Sequence, residues 1–301
     1  MRIAVIGTGG VGGYLGARLH HAHNDVVFVA RGAHLHAMQQ HGLKLESPEG
    51  DLTIHAKFTD TLIGFKPFDC IIIGVKSFDT RAAAEIARPA LKNDSIILSI
   101  QNGVENEELI AQTIGRQYVL TGIAYIFSTI HAPGIIRHEG GAGKFRFGET
   151  DGTVSQRSCT LENTFRSAGI EGEAIENVGK FLWQKWIFIC GLGGMTAFAR
   201  KTIGEVLQDP TLRQMLEDVI NEASTIARAM YNDPFADSET KTILHCKRLP
   251  ATSTSSMYYD LMHGKRVEVE ALNGAVVRFG MKLKIPTPAN GEIYAALKSH
   301  A

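Results

Sequence analysis

The N-terminal stretch limits the fold more than any other. A short aliphatic run, Arg2–Ile6, stops on Gly7-Thr8-Gly9-Gly10-Val11-Gly12, and a helical pattern, Tyr14–His21, follows at once. Strand, tight turn and helix in that order begin a βαβ unit, which commits the chain to a parallel sheet with the helix crossing one face. The glycines have the G-x-G-x-x-G spacing. Alone that spacing is weak, but between a strand and a helix it gives each glycine a task. Gly7 permits the turn, Gly9 lets the backbone approach a pyrophosphate, and Gly12 lets helix and strand pack closely, while the helix N-terminus attracts the anion. Gly7, Thr8, Gly9, Gly10, Val11 and Gly12 are therefore the expected dinucleotide-binding loop; a plain glycine turn is the alternative.

The first half keeps this rhythm. Val26–Ala30, Cys70–Val75 and Ser95–Ile100 read as buried strands, with helical patterns at Thr80–Leu91 and Val104–Ile114. Between the second and third strands, GLKLESPEGDLTIHAKF alternates apolar and polar residues around Pro-Glu-Gly-Asp, the pattern of an inserted hairpin. Gln117–Ile130, Gly134–His138 and Lys144–Gly148 predict further strands, broken at Pro133 and at Gly140, Gly141 and Gly143, before a helix over Val154–Ser167. From Asn177 the strand signal ends. Helices are predicted over Val178–Ala199, Thr211–Tyr231, Ser238–Lys247, Ser256–His263, Val267–Lys282 and Pro288–Lys298. The expected class is α/β, with a Rossmann-type dinucleotide-binding domain over residues 1–176 and an all-α C-terminal domain over residues 177–301.

Charge narrows the partners. Lys plus Arg and Asp plus Glu are equal at 31 each, which argues against the basic footprint of a nucleic-acid binder. No apolar run is long enough to cross a bilayer, and the N-terminus lacks the apolar core and cleavage site of a signal peptide. Cys70, Cys159, Cys190 and Cys246 form no Cys-x-x-Cys pair, which fits a reducing cytoplasm. His20, His21 and His23, and His34 with His36, have no second ligand group at a recognised spacing, so no metal is expected and surface positions are favoured. A small molecule is the expected partner, and a homodimer follows only from base rates.

The end of the second predicted strand bears on the type of cofactor. NAD sites place an acidic residue there for the ribose 2′-hydroxyl; here VVFVARG ends in Arg31, and Asp25 stands at the opposite end. A guanidinium suits a 2′-phosphate, and Lys76, just past CIIIGV, offers a second positive charge, so NADP(H) is favoured over NAD. Solvated surface cations are the plain alternative. Asn102, in SIQNGVENEEL, stands at the ligand edge of its strand, where its amide suits the nicotinamide ribose or a substrate; Asn-Gly is equally a way to turn into a helix.

In the second half one residue is out of place. FLWQKWIFICGLGG puts Lys185 among two tryptophans, two phenylalanines and two isoleucines. Its stem could lie along the rings with its amine in water. Beside a nicotinamide site it has another use: a desolvated ammonium supplies field and proton where hydride arrives at a carbonyl carbon. Gly191, Gly193 and Gly194 suggest a helix end or a surface kept low for a ligand. Glu268, in KRVEVEALNG, is expected to open a helix and so complement its dipole, as is Glu270, and Ser255 and Ser256 read as N-caps.

Taken in order, GTGGVGGYLGARL, the Arg31 site, VKSFDT, QNG, the tryptophan-flanked Lys185 leading to MTA, SSMYYD and VEVEALNG resemble the ketopantoate reductase (2-dehydropantoate 2-reductase) family along nearly the entire chain. The resemblance implies a Rossmann domain joined to a helical one, NADPH as cofactor, and reduction of ketopantoate to pantoate in pantothenate biosynthesis. It implies Lys185 as proton donor, Glu268 and Ser256 near substrate and cofactor, and Asn102 and Ser128 beside the nicotinamide. Three positions depart from the family pattern. Asparagines four and eight residues after the lysine are Ile189 and Gly193 here, and a further asparagine is Ser253. Ile189 and Gly193 motivate a second hypothesis, reduction of a less polar 2-oxo acid or an imine. A third, of another class, is a protein that senses NADP(H) without turnover.

Overall fold

The computed structural model describes residues 1–231 and 237–301. It divides into two compact units, Met1–Gln101 with Glu105–Gly179, and Lys180–Ala301 with the tripeptide Asn102–Val104.

In the first unit the N-terminal run forms β1 (Arg2–Ile6), the glycine loop leads into α1 (Gly10–His21), and β2 (Asp25–Val29), β6 (Cys70–Ile73) and β7 (Ile96–Ser99) follow as parallel neighbours. Alternation sends their side chains to two cores. Ile3, Val5, Val26, Phe28, Cys70 and Ile72 pack on one face; Ala4, Ile6, Val27, Val29, Ile71 and Ile73 pack on the other. Burial on both faces is why these strands read as continuous apolar runs. α3 (Thr80–Ala87) and α4 (Asn106–Ile114) make the crossovers, and α5 (Gln156–Ser167) closes the unit with β10 (Glu171–Ala174). The α/β class is as expected.

The expected hairpin is β3 (Leu43–Glu46) with β4 (Leu52–Ile54), and Lys57–Thr59 forms a separate strand, β5, parallel to β2. The hairpin is no isolated insertion: β3 pairs with β9 (Ile135–Glu149), extending one ten-stranded sheet ordered β4-β3-β9-β8-β7-β6-β1-β2-β5, where β8 is Val119–Ala132 and β10 also pairs β9. The glycine cluster does not break β9. Its register against β8 shifts near Tyr125/Ile126 and Phe127/Ser128, with Gly141 at φ +85°, so the extra residues are absorbed as bulges that glycine tolerates. Sequence periodicity missed α2 (Gly32–His41), because only Leu35 and Met38 of its ten residues are buried.

The second unit is helical around one core: α6 (Val178–Ala199), α7 (Ile203–Gln208), α8 (Pro210–Tyr231), α9 (Ser238–Arg248), α10 (Ser256–Met262), α11 (Asn273–Leu283) and α12 (Pro288–Leu297). α6 covers the expected Val178–Ala199 and runs through Gly191, Gly193 and Gly194, so of the two readings of these glycines the helix end is corrected. A Cβ at Gly191 would lie 2.7 Å from Ile220, and one at Gly194 2.7 Å from the Asn273 amide, which donates to the Cys190 carbonyl at 3.2 Å. Both glycines admit a neighbour. α11 begins at Asn273, so Glu268 does not open it. Tertiary bonds divert the preceding backbone: the Val267 N–H donates to the His300 carbonyl at 2.9 Å, and the Trp186 indole donates to the Ala271 carbonyl at 3.1 Å.

Candidate active site

In the first unit the glycine loop separates what the protein needs from what it leaves open. Gly7 has φ +94°, and a Cβ there would meet the Val75 nitrogen at 2.6 Å. A Cβ at Gly12 would lie 2.2 Å from the Gly7 carbonyl oxygen, and one at Gly10 1.8 Å from the Ser128 carbonyl oxygen. Internal packing therefore demands glycine at 7, 10 and 12. At Gly9 a Cβ would have no neighbour within 4 Å. Gly9 also N-caps α1, and no side chain caps the first turn. Open space over one glycine, beside a helix N-terminus whose N-cap supplies no side-chain acceptor, fits the pyrophosphate of a dinucleotide.

The other loop residues brace this shape. Thr8 is buried, and its hydroxyl donates to the Val29 carbonyl at 3.0 Å. Val11 is half-buried in the first turn of α1. The Ser128 hydroxyl lies 3.0 Å from both the Gly10 and Arg137 carbonyl oxygens, so it donates to one at a time. His34, read from sequence as a surface histidine, belongs to this loop instead. Its Nδ1 accepts from the Gly134 N–H at 3.0 Å, which leaves Nε2–H to donate to the Thr8 carbonyl at 2.8 Å. Burial holds its pKa below the usual imidazole value, keeping the ring neutral. Nothing in the local pattern GAHLHAM signals this role, because both partners are distant in sequence. Among the described residues no cluster of three or more His, Cys, Asp or Glu side chains could hold a metal ion.

Arg31 N-caps α2 at the end of β2, and its side chain is 81% exposed. Its guanidinium meets the Asp79 carboxylate at 2.6 Å. Lys76 precedes the short 3₁₀ turn Ser77–Asp79, so Lys76, Asp79 and Arg31 gather near the C-terminal ends of β2 and β6. Asp79 was not singled out from sequence.

In the second unit Lys185 and Asn102 meet. The Lys185 ammonium donates to the Asn102 Oδ1 at 2.8 Å. The lysine is half-buried on α6, with buried Trp183 two positions before it and buried Trp186 next to it. Desolvation pulls its pKa from 10.5 down to about 8, and the nearby Glu268 carboxylate opposes the fall. Glu268 is 6% exposed. It sits in a turn closed by the Ala271 N–H on the Glu268 carbonyl at 3.1 Å, and the Trp186 indole on Ala271 ties that turn to α6. One aromatic residue of the lysine's own helix thus fixes the segment that carries the carboxylate. Three sequence-separated groups, an ammonium, an amide and a carboxylate, form one cluster able to hold and release a proton near neutral pH.

Ser255 is the N-cap of α10, accepting from the Tyr258 N–H at 3.0 Å and sharing a hydrogen bond with the Thr196 hydroxyl at 2.9 Å. Ser256 is the first helical residue and does not cap. Of the two asparagine departures on α6, Ile189 is a half-buried residue packed at the edge of the core. A Cβ at Gly193 would make ordinary contacts, 3.7 Å from Met257 and 4.0 Å from Ser255.

The family model described as Ketopantoate reductase PanE/ApbA matches residues 3–152, and its C-terminal counterpart matches residues 177–301. A 2-dehydropantoate 2-reductase of Archaeoglobus fulgidus is 30% identical over 96% of this chain and 94% of its own. The crystal structure of a PanE/ApbA family ketopantoate reductase from Ralstonia eutropha superposes with a TM-score of 0.91 at 30% identity, covering 99% of this chain and 98% of the other. The ternary structure of D-mandelate dehydrogenase with NADH and anilino(oxo)acetate has the same fold, with a TM-score of 0.90 at 19% identity and coverage of 100% and 98%.

Proposed function

The chain belongs to the ketopantoate reductase family, an oxidoreductase family acting on ketone and hydroxyl pairs, and we propose that it reduces ketopantoate to pantoate with NADPH, a step of pantothenate biosynthesis. The observation that carries this reading is the Lys185 ammonium, half-buried, 2.8 Å from the Asn102 amide oxygen and with a pKa drawn down to about 8. No helix among the described residues is long and apolar enough to cross a membrane. The proposal is of a cytoplasmic enzyme with a small 2-oxo acid substrate.

The residues divide the work. Gly7, Thr8, Gly9, Gly10, Val11 and Gly12 would hold the pyrophosphate, Arg31 and Lys76 the 2′-phosphate, and Ser128 and Asn102 the nicotinamide end. A bound reduced nicotinamide supplies hydride to the C2 carbon of the oxo acid. Lys185 then gives its proton to the oxygen that becomes the hydroxyl. Below pH 8 the ammonium form predominates, so the acid is present, and a pKa near the working pH makes the transfer efficient. Glu268 favours the charged form against desolvation, and Asn102 accepts one N–H and so aims the ammonium. Ser256 and Glu268 would contact the substrate's polar groups.

Ile189, one turn beyond Lys185 on the same helix face, favours a second reading in which the substrate is a less polar 2-oxo acid or an imine. Cofactor oxidation measured with ketopantoate and with a panel of other 2-oxo acids separates the two. Selective ketopantoate turnover removes the second, and Lys185→Ala should lower turnover at least about 100-fold. Tight NADPH binding with no turnover on any carbonyl would replace both with cofactor sensing.

A further inference from the structure

We propose that Asp79 sets the cofactor preference of this chain: it holds Arg31 in an ion pair that a ribose 2′-phosphate must share or break, and it offers a carboxylate to a ribose 2′-hydroxyl. This rests on the dinucleotide site proposed above and deepens it.

Two features give Asp79 the controlling position. It is the fixed member of the pair. Its N–H donates to the Lys76 carbonyl at 2.9 Å, and the next residue, Thr80, is fully buried with its hydroxyl 2.8 Å from the Ser77 carbonyl oxygen. Its side chain is 27% exposed against 81% for Arg31. Arg31 is the long, solvated and movable partner, so where the guanidinium rests is decided by the carboxylate. An exposed ion pair is itself worth little, and a phosphate, with more charge and three acceptor oxygens, competes well for the guanidinium. What the phosphate cannot remove is the carboxylate beside it, because the turn that carries Asp79 is held in place. A like charge near an incoming dianion weakens its binding. An unphosphorylated ribose meets the opposite situation: a carboxylate near the end of the second strand is the acceptor that NAD sites use for the 2′-hydroxyl. Arg31 alone would select NADPH; Arg31 with Asp79 narrows that selection.

The test is direct titration of NADPH and of NADH into the full-length protein by calorimetry, comparing wild type, Asp79→Asn, Asp79→Glu and Arg31→Met. Asp79→Asn keeps the shape and removes the charge. The expected result is tighter NADPH, equal or weaker NADH, and a preference ratio raised about tenfold, which is about 1.4 kcal/mol; Asp79→Glu should stay near wild type, and Arg31→Met should weaken NADPH alone. An unchanged ratio in Asp79→Asn overturns the proposal, and so does weaker NADPH binding, which would mean that the carboxylate aims Arg31 at the phosphate. Failure of the wild-type protein to bind either dinucleotide is a separate outcome that removes the cofactor reading itself.

Discussion

Replacing Lys185 by methionine should make the protein more stable while stopping its chemistry. Desolvation lowers the lysine's pKa from 10.5 to about 8, a difference of about 2.5 units. At about 1.4 kcal/mol for each tenfold change in acidity, keeping this lysine charged in the folded state costs about 3.5 kcal/mol at neutral pH. Methionine has a similar length and no charge to desolvate, but it forfeits the hydrogen bond to Asn102, worth about 1 kcal/mol. The net expectation is a gain of about 2.5 kcal/mol at pH 7, or roughly 4 °C in the melting transition of a chain this long. The pH dependence makes the test specific. Between about 8 and 10.5 the unfolded chain binds more protons at this site than the folded one, so wild-type stability rises with pH through that window, whereas Lys185→Met has nothing there to titrate. Thermal or urea unfolding of both proteins from pH 7 to 10.5 should show the advantage shrinking above pH 8 and reversing near pH 10.5. Titrating groups that do not interact with Lys185 are shared and cancel in the difference, and Glu268, its one coupled carboxylate here, is a group whose ordinary range lies well below this window. Parallel stability curves, or a methionine variant less stable at pH 7, would refute the claim that the ammonium is held at a desolvation cost.

Glu268→Gln removes the charge that props up the Lys185 pKa, so the alkaline limb of the turnover profile should move to lower pH, with roughly tenfold loss at pH 8 and less at pH 6; an unmoved limb would separate the two residues. Gly9→Ala should fold like wild type, since its Cβ meets nothing within 4 Å, yet bind dinucleotide at least about tenfold more weakly in calorimetry. Gly10→Ala, whose Cβ would collide with the Ser128 carbonyl, should instead lose about 2 kcal/mol or more of stability in urea unfolding. His34 keeps a lowered pKa while both ring nitrogens are engaged, so the stability it contributes is complete above about pH 6.5 and fades as pH falls toward that lowered value. His34→Leu should flatten this part of the stability profile.

What could be read from the residues was whatever local pattern encodes. The alternation of Ile3, Val5 and their neighbours, buried on both sheet faces, gave the parallel core, and the charged residue amid the tryptophans of α6 marked Lys185. What escaped depended on partners far along the chain. GAHLHAMQQH buries only two residues, so α2 has almost no amphipathic signal, and His34 becomes part of the glycine loop only through Thr8 and through Gly134, a hundred residues later. The segment with Glu268 has helix-forming composition, yet Val267 and Ala271 spend their backbone groups on His300 and Trp186. Local propensity loses to a tertiary hydrogen bond there, as it commonly does when the competing difference is a few tenths of a kcal/mol per residue.

The glycines extend the same point to function. Spacing alone treats Gly7, Gly9, Gly10 and Gly12 alike, and likewise Gly191, Gly193 and Gly194, but the packing does not. Gly7, Gly10, Gly12, Gly191 and Gly194 would each collide with the protein's own atoms if they carried a Cβ, while Gly9 and Gly193 would not. A glycine that internal packing requires says nothing about a ligand, and one that packing does not require is free to be explained by what binds. Gly9 has that explanation in the pyrophosphate proposed to bind there. Gly193 lies two turns beyond Lys185 on the same face of α6, past Ile189, with Met257, Leu272 and Ser255 as the nearest neighbours of an added Cβ. Two of those three side chains are apolar and the Ser255 hydroxyl is already bonded to the Tyr258 N–H and the Thr196 hydroxyl, so a substrate hydroxyl directed at Gly193, rather than at Ser256 or Glu268, would find little to pair with. Leaving a substrate hydroxyl unpaired on burial costs about 1–3 kcal/mol, and in the proposed reaction that cost, rather than proton transfer, would decide between ketopantoate and a less polar oxo acid.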